Sequence, residues 1–175
     1  SLETHVGPVT TEPQYKKILD YIEIAKADGA KCVLGGKPYV GAGSNGNRFV
    51  EPTIFTEVSN DMRIAQEEVF GPILSVIPFD TEEDAVKIGN DIVFGLAAGV
   101  WTNDIGRALR MSEKLKVGTV WVNTYRAVSF SSPFGGYKRS GQGRESGQTS
   151  IKEFLQVKSV WIAQKTTTAN PFVMR

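Results

Sequence analysis

The sequence predicts an α/β fold in which a Rossmann-like parallel sheet is flanked by helices. Three observations support this prediction. An amphipathic helix lies near the N-terminus, strands and helices alternate between residues 73 and 123, and 175 residues of 41% hydrophobic composition suffice for one ordinary core. The alternation carries most weight, because the order strand, helix, strand usually builds a parallel sheet with right-handed crossovers.

The N-terminal helix is predicted over residues 12–28. Its apolar side chains recur at i, i+3, i+4 and i+7, the spacing of one helix face: Tyr15, Ile18, Leu19 and Ile22. Pro13 is a start signal and Gly29 is a stop signal. After this helix, residues 31–34 predict a short strand, and the glycine-rich residues 41–47 predict a flexible surface loop.

The alternating region contains five predicted elements, and a polar capping residue begins each of its helices. Apolar runs predict its strands. In order, the elements are a buried strand over 73–79, a helix from Thr81 through about 91, a strand over 97–101, a helix from Asp104 through about 116, and a strand over 118–123.

Residues 124–147 are rich in glycine and serine and lack regular periodicity. A stretch of this kind inside a compact domain is usually functional or disordered, and its embedded aromatic residues favour a functional loop. Residues 156–163 are β-prone, whereas residues 165–171 have no apolar pattern and are expected to fray.

The charge balance excludes several classes of partner. Twenty basic residues against nineteen acidic ones give a net charge of +1, so we expect neither nucleic acid nor an anionic membrane surface as a partner. No apolar run approaches the roughly 20 residues needed to cross a bilayer. A single cysteine cannot form an intramolecular disulfide, which favours a reduced, cytoplasmic protein.

Neither Cys32 nor His5 is expected to take part in chemistry. Cys32 lies in a predicted apolar strand, where burial makes a thiol inert. His5 is the single histidine and has no cysteine or second histidine near it in the sequence. We therefore predict no metal site, no catalytic triad and no catalytic residue within this chain.

Residues 67–72, with the sequence Glu-Glu-Val-Phe-Gly-Pro, form the first informative motif and are called the glutamate segment below. Gly71 allows a tight backbone turn, and Pro72 fixes φ before the next strand begins. Two adjacent glutamates alone are most often solvated side chains at a helix end. The Phe-Gly-Pro that follows them raises the motif above that simpler interpretation.

Residues 133–145 form the second motif and are called the glycine loop. The loop contains glycines and basic residues, but it matches neither the P-loop pattern nor the dinucleotide fingerprint. A phosphate cradle is therefore not expected here. The simpler structural interpretation is that Phe134 anchors the core and that the glycines allow tight turns.

Together, these motifs resemble the C-terminal part of an aldehyde dehydrogenase. Further segments, at residues 6–9, 94–98 and 118–123, match the family in the expected order, so the resemblance covers essentially the whole chain. It implies a C-terminal fragment of that fold, with residues 1–150 in the catalytic domain and residues 151–175 as an oligomerisation strand and tail. The reactive cysteine, the general base and the glycine-rich cofactor strand would lie upstream.

The resemblance also implies roles for particular residues. Glu68 would accept hydrogen bonds from the nicotinamide ribose of NAD or NADP, and Phe70 would pack near the nicotinamide ring. Phe134 would line the substrate tunnel. Arg126, at the tunnel mouth, could hold a substrate carboxylate, although an exposed or glutamate-paired arginine is the simpler expectation. Some relatives carry an aromatic residue at the position of Val128, which makes this tunnel wall less bulky.

The implied reaction oxidises an aldehyde to a carboxylic acid through a cysteine thioester. The enzyme would be a homo-oligomer, either a dimer or a tetramer. Two alternatives stay open at this point. The chain could be a non-catalytic assembly module that adds residues 156–163 to a partner's sheet, or the parent could be an acylating semialdehyde dehydrogenase that passes the acyl group to coenzyme A.

Overall fold

A computed structural model describes residues 5–41, 44, 47–164 and 172. The helices in this part of the chain are α1 (Glu12–Ala27), α2 (Arg63–Gln66), α3 (Glu82–Asn90) and α4 (Ile105–Lys114), with a 3₁₀ helix over Gln148–Phe154. The strands are β1 (Lys31–Leu34), β2 (Thr53–Thr56), β3 (Ile73–Ser75), β4 (Phe94–Gly95), β5 (Ala97–Val100), β6 (Thr119–Val122) and β7 (Tyr137–Lys138). The α/β prediction is confirmed.

Helix α1 packs on a three-stranded sheet and forms the larger core with it. The side chain of Thr11 caps the helix by accepting a hydrogen bond from the backbone N–H of Gln14, and a proline occupies the first turn. The buried face of α1 consists of Ile18, Tyr21, Ile22 and Ala25, as the helical spacing predicts. Strand β2 lies in the middle of the sheet, antiparallel to β1 and parallel to β3.

The second core lies between strands β5 and β6 and helices α3 and α4. Strands β5 and β6 pair in parallel, with α4 as the crossover between them. The capping residues are confirmed: Thr81 forms a capping box with Asp84, and the carboxylate of Asp104 accepts from the N–H of Arg107 at 3.2 Å. This part of the predicted strand–helix alternation is therefore correct.

Parallel pairing is present as predicted, between β2 and β3 and between β5 and β6, but the described strands are divided among three small sheets. The predicted strand over 73–79 is only three residues long, since its partner β2 ends at Thr56 and Pro78 has no N–H for a ladder. It is also not buried in this chain, as Leu74 is 57% exposed. Strand β2 was not predicted, although its Phe55 is completely buried.

The remaining predictions have mixed outcomes. Strand β1 exists, but it is largely exposed, and Cys32 is only half-buried, with its thiol donating to the carbonyl of Leu34. Residues 156–163 form no strand in this chain, because no neighbouring strand lies beside them. Most of the predicted loop over 41–47, and all of residues 165–171, lie outside the described residues. None of the described helices has the length and apolar character of a membrane span.

We predict that Gly71→Ala destabilises the protein by about 1–3 kcal/mol, the usual cost of overpacking a core. An added Cβ would lie 2.7 Å from Cγ1 of Ile18, a fully buried, β-branched side chain that cannot move aside. The free energy of unfolding, measured by urea denaturation, tests this. Gly7→Ala is the matched control, because a Cβ at Gly7 meets nothing within 4 Å. Equal stability of the two variants would contradict the close contact.

We also predict that the 175-residue chain associates in solution when it is produced alone. Its surface carries many large apolar side chains, including Phe130, Val157, Trp161 and Ile162, and exposed apolar surface of this extent is unusual for a monomer. Light scattering coupled to gel filtration should show a mass that increases with concentration. The double substitution Trp161→Ser and Ile162→Ser should lower that mass, whereas a monodisperse unsubstituted monomer would contradict the prediction.

Candidate functional site

The glutamate segment connects α2 to β3 and lies directly against α1. Two side chains of α1 hold its backbone. Gln14 Nε2 donates to the carbonyl oxygen of Val69 at 2.6 Å and to that of the following residue at 3.1 Å. Lys17 Nζ donates to the carbonyl oxygen of Glu68 at 2.7 Å. Three consecutive carbonyl groups of the segment are thereby attached to one helix.

The two adjacent glutamates have different surroundings. Glu67 accepts a bidentate pair of hydrogen bonds from Arg63, both at 3.0 Å, and a further hydrogen bond from the hydroxyl of Tyr21. The hydrogen bonds from Arg63 and then from Tyr21 lower the pKa of Glu67 to about 2, so this carboxylate stays ionised at physiological pH. The hydrogen bond to Glu67 likewise raises the pKa of Tyr21.

Glu68 contrasts with this fully engaged neighbour. Its side chain is exposed, and its carboxylate makes no hydrogen bond or ion pair with any residue in the described part of the chain. A carboxylate is an acceptor-only group, so this one is available to two hydroxyl donors from a ligand. Of the two glutamates, Glu68 is therefore the one whose carboxylate has no protein partner in the described part of the chain, and its predicted role in binding the ribose stays a prediction.

Phe70 lies two residues further on with its ring 75% exposed. Its backbone has φ of 54°, in the left-handed region that a bulky side chain rarely adopts. The ring borders two clefts, of about 500 and 360 Å³. One cleft lies toward Thr10 and Gln14, and the other toward Ile64 and Ile73. The Phe70 side chain is therefore exposed two residues after the unpartnered carboxylate of Glu68.

The glycine loop is ordered by backbone pairing and by one arginine. Phe134 and Glu145 exchange two backbone hydrogen bonds, each of 2.8 Å, which close the loop. The Arg144 guanidinium donates to the carbonyl oxygens of Gly136 and Gly143, each at 2.9 Å. Replacing Gly135 by a larger residue would destabilise the loop, because a Cβ there would lie 2.3 Å from the carbonyl oxygen of Gly143. Gly135 therefore allows a close approach of two backbone segments, whereas Phe134, which the simpler interpretation expected to anchor the core, is only half-buried.

Arg126 and Phe134 line the same cleft, which is called the Arg126 cleft below and has a volume of about 530 Å³. Arg126 is exposed, its backbone has φ of 57°, and its guanidinium has no hydrogen-bonding or ion-pair partner among the described residues. The cleft is lined by Trp121, Arg126, Val128, Ser129, Phe130, Phe134, Glu145 and Ser146. The two predicted substrate residues are thus brought together across the loop over 124–147.

The loop that carries Arg126 starts from a fixed strand end. The side-chain amide of Asn123 donates to the carbonyl of Thr102 and accepts from its N–H, both at 2.9 Å, which joins the ends of β6 and β5. The indole N–H of Trp121 donates to the carbonyl of Ala127 at 2.7 Å. Arg126 is therefore held between two anchored residues.

Phe70 borders different clefts from the one that Arg126 and Phe134 line. The clefts that Phe70 borders contain neither Arg126 nor Phe134. The described residues contain no cluster of histidine, cysteine and acidic side chains that could hold a metal ion. Sequence reasoning also missed the supporting side chains of α1: Gln14, Lys17 and Tyr21. Their spacing of i, i+3 and i+7 places them along one helix face, and that signal could have identified them.

Comparison with known proteins bears on what this arrangement is. The family model described as the aldehyde dehydrogenase family matches residues 1–160. The chain is 47% identical over 156 residues to aldehyde dehydrogenase 1A1 of Bos taurus, an alignment that covers 89% of this chain and 30% of that protein. It is 45% identical over 160 residues to the betaine aldehyde dehydrogenase of Mesorhizobium japonicum, covering 91% and 33% respectively.

Solved structures agree with these matches. Betaine aldehyde dehydrogenase from Staphylococcus aureus in complex with NAD+ superimposes with a TM-score of 0.92 and 40% identity, over 99% of this chain and 35% of that chain. A mutant of the P. syringae indole-3-acetaldehyde dehydrogenase in complex with NAD+ and IAA gives 0.85 and 45%, over 91% and 32%.

The chain spans about a third of the length of these relatives. The family model nevertheless covers most of the chain, and the fold agrees with that of structures that are 40% and 45% identical to it. On this evidence, the chain belongs to the aldehyde dehydrogenase family.

Proposed function

We propose that this chain is the C-terminal third of an NAD-dependent enzyme that oxidises an aldehyde to a carboxylic acid. The observation that carries the proposal is the difference between the two glutamates. Glu67 is engaged by the protein, whereas the Glu68 carboxylate is exposed and without a protein partner in the described structure. The reactive cysteine and the general base would come from the preceding two thirds of the enzyme.

The residues of the glutamate segment fit a dinucleotide. The exposed Glu68 carboxylate can accept hydrogen bonds from both ribose hydroxyls, and the exposed Phe70 ring can pack beside the nicotinamide. NAD+, when bound, supplies the hydride acceptor. We propose NAD+ in preference to NADP+, because the structures of both the betaine aldehyde and the indole-3-acetaldehyde dehydrogenase contain NAD+.

The Arg126 cleft is proposed as part of the substrate entrance. Phe134 provides an apolar wall of the cleft. Val128 lies at a position where some relatives carry an aromatic residue, and its smaller side chain leaves room beside Phe134. The unpaired Arg126 guanidinium can hold a substrate carboxylate by two parallel hydrogen bonds. The names of the relatives specify betaine aldehyde and indole-3-acetaldehyde, so family membership alone does not select the aldehyde.

We also propose that residues 156–163 pair with a second copy of the chain, giving a cytoplasmic homo-oligomer. Val157 is fully exposed and Trp161 is 94% exposed, so the apolar side chains of this segment have no partner surface within the described chain. The same exposure favours the alternative of a non-catalytic assembly module. An acylating semialdehyde dehydrogenase is a further alternative, which product analysis with and without coenzyme A would distinguish.

In the full-length enzyme, Glu68→Gln should slow hydride transfer by about tenfold to a hundredfold while the melting temperature stays unchanged. The amide replaces a charged acceptor by a neutral one, so the ribose is held less firmly, and a displacement of about 1 Å can cost about 10²-fold in rate. Single-turnover NADH formation measures the step. Glu83→Gln, an exposed glutamate on α3, serves as the control. An unchanged single-turnover rate would refute the ribose role.

Arg126→Gln should raise KM about tenfold to a hundredfold for 4-oxobutanoate and leave KM for butanal unchanged. A hydrogen bond to a charged group is worth about 1.5–3 kcal/mol, and each 1.4 kcal/mol corresponds to about tenfold in binding. Steady-state kinetics with the two aldehydes measure the ratio of KM for 4-oxobutanoate to KM for butanal. Arg139→Gln, an arginine outside the Arg126 cleft, is the matched control. The same KM ratio in both variants would exclude a carboxylate-binding role.

A further inference from the structure

The glutamate segment is attached to its surroundings at every residue from 67 to 70. The side chain of Glu67 is held by Tyr21 of α1 and by Arg63, and the next three carbonyl groups are held by Lys17 and Gln14. The side chains left without polar partners in the described structure are the Glu68 carboxylate and the apolar side chains that follow it. Residues 67–70 therefore combine a backbone that is held in place with a Glu68 carboxylate that is available to a ligand.

Glu67 occupies the position at which this attachment begins. It is the C-terminal cap of α2, a helix of a single turn that has little stability of its own. Arg63, the first residue of that turn, donates two hydrogen bonds of 3.0 Å each to the Glu67 carboxylate. This pair closes the turn onto its cap, and the hydroxyl of Tyr21 attaches the same carboxylate to α1.

The aromatic ring of Tyr21 joins the cluster into one unit. Lys17 Nζ lies 5.5 Å and the Arg63 guanidinium carbon 5.6 Å from the ring centroid, and the tyrosine hydroxyl reaches Glu67. Tyr21 lies on the buried face of α1 and belongs to the larger core. The cations and the carboxylate therefore share one rigid aromatic support.

We propose that Arg63, Glu67 and Tyr21 are positioning residues that set the affinity of the enzyme for NAD+ by fixing the backbone from which Glu68 projects. This inference rests on the proposed function, because it requires Glu68 to contact the cofactor. None of the three residues needs to touch the cofactor. Their contribution is to remove alternative positions of the Glu68 carboxylate before the cofactor binds.

The test uses the full-length enzyme and the variants Arg63→Ala, Glu67→Gln and Tyr21→Phe. Each should weaken NAD+ binding about tenfold, the lower end of the usual effect of losing a supporting hydrogen bond at a ligand site. Calorimetric titration with NAD+ alone measures the dissociation constant. Steady-state kinetics should show a raised KM for NAD+ and an unchanged KM for the aldehyde.

Arg110→Ala provides a matched control. Arg110 forms a bidentate pair with Glu82 at 2.9 and 2.8 Å between α4 and α3, far along the chain from the glutamate segment. Its loss removes an exposed pair of the same type and should leave the NAD+ dissociation constant within twofold. A general loss of stability would affect the melting temperature in both variants, whereas only the Arg63 variant should bind NAD+ more weakly.

Tyr21→Phe and two further variants separate positioning from packing. Tyr21→Phe keeps the buried ring and removes one hydroxyl, so it tests the contact even where larger changes prevent folding. Combining Arg63→Ala with Glu67→Gln should weaken binding no further than either substitution alone, because both break one interaction. Arg63→Lys should recover part of the affinity through its remaining charge.

The outcomes distinguish this inference from the proposed function. If Arg63→Ala and Tyr21→Phe leave NAD+ binding within twofold of the unsubstituted enzyme while Glu68→Gln weakens it, the positioning role is overturned and the ribose contact stands. If Glu68→Gln leaves NAD+ binding unchanged, the ribose contact fails, and the positioning role fails with it. A tenfold loss of NAD+ affinity in Arg63→Ala, Glu67→Gln, Tyr21→Phe and Glu68→Gln, absent from Arg110→Ala, supports both the ribose contact and the positioning role.

Discussion

The arrangement of the candidate cofactor residues depends on the contact between α1 and the glutamate segment. Ile18 is buried against Gly71, where a side chain of any size would collide with it. This apolar contact brings the polar residues Gln14, Lys17 and Tyr21 within hydrogen-bonding distance of the segment. Burial of one isoleucine is worth about 1.5–3 kcal/mol.

Hydrogen bonds in this region separate the residues that support from those that bind. A fully engaged carboxylate such as Glu67 loses its capacity for a ligand, because its lone pairs are already used. The exposed carboxylate of Glu68 has no such partner in the described structure and keeps that capacity. Strained backbone at Phe70 is consistent with the same division, since a left-handed phenylalanine persists only where surrounding contacts hold it.

The second candidate site follows a similar principle with different means. There the fixed elements are the Asn123 amide pair with Thr102 and the Arg144 contacts within the glycine loop. Between these anchors, Arg126 and Phe134 line one cleft although they are eight positions apart in the sequence. Both sites therefore place free side chains on loops whose backbones are attached to regular elements.

The sequence alone determined the elements whose signal is local. Helical spacing located α1, capping residues located the starts of α3 and α4, and apolar runs located β5 and β6, because each of these depends on neighbouring residues. The motifs likewise identified Glu68, Phe70, Arg126 and Phe134 as candidates. Strand β2 escaped prediction because its central place in the sheet depends on pairing with β1 and β3, which the local sequence Thr-Ile-Phe-Thr does not show.

Only the tertiary structure decided properties that depend on distant residues. The length of β3, the exposure of Leu74 and the half-buried state of Cys32 depend on which partners lie beside them. The same holds for the different hydrogen bonding of the Glu67 and Glu68 carboxylates, although the two residues are identical and adjacent in the sequence. Their difference comes from Arg63, four positions before Glu67, and from Tyr21, 46 positions away, and local patterns contain no information about the second contact.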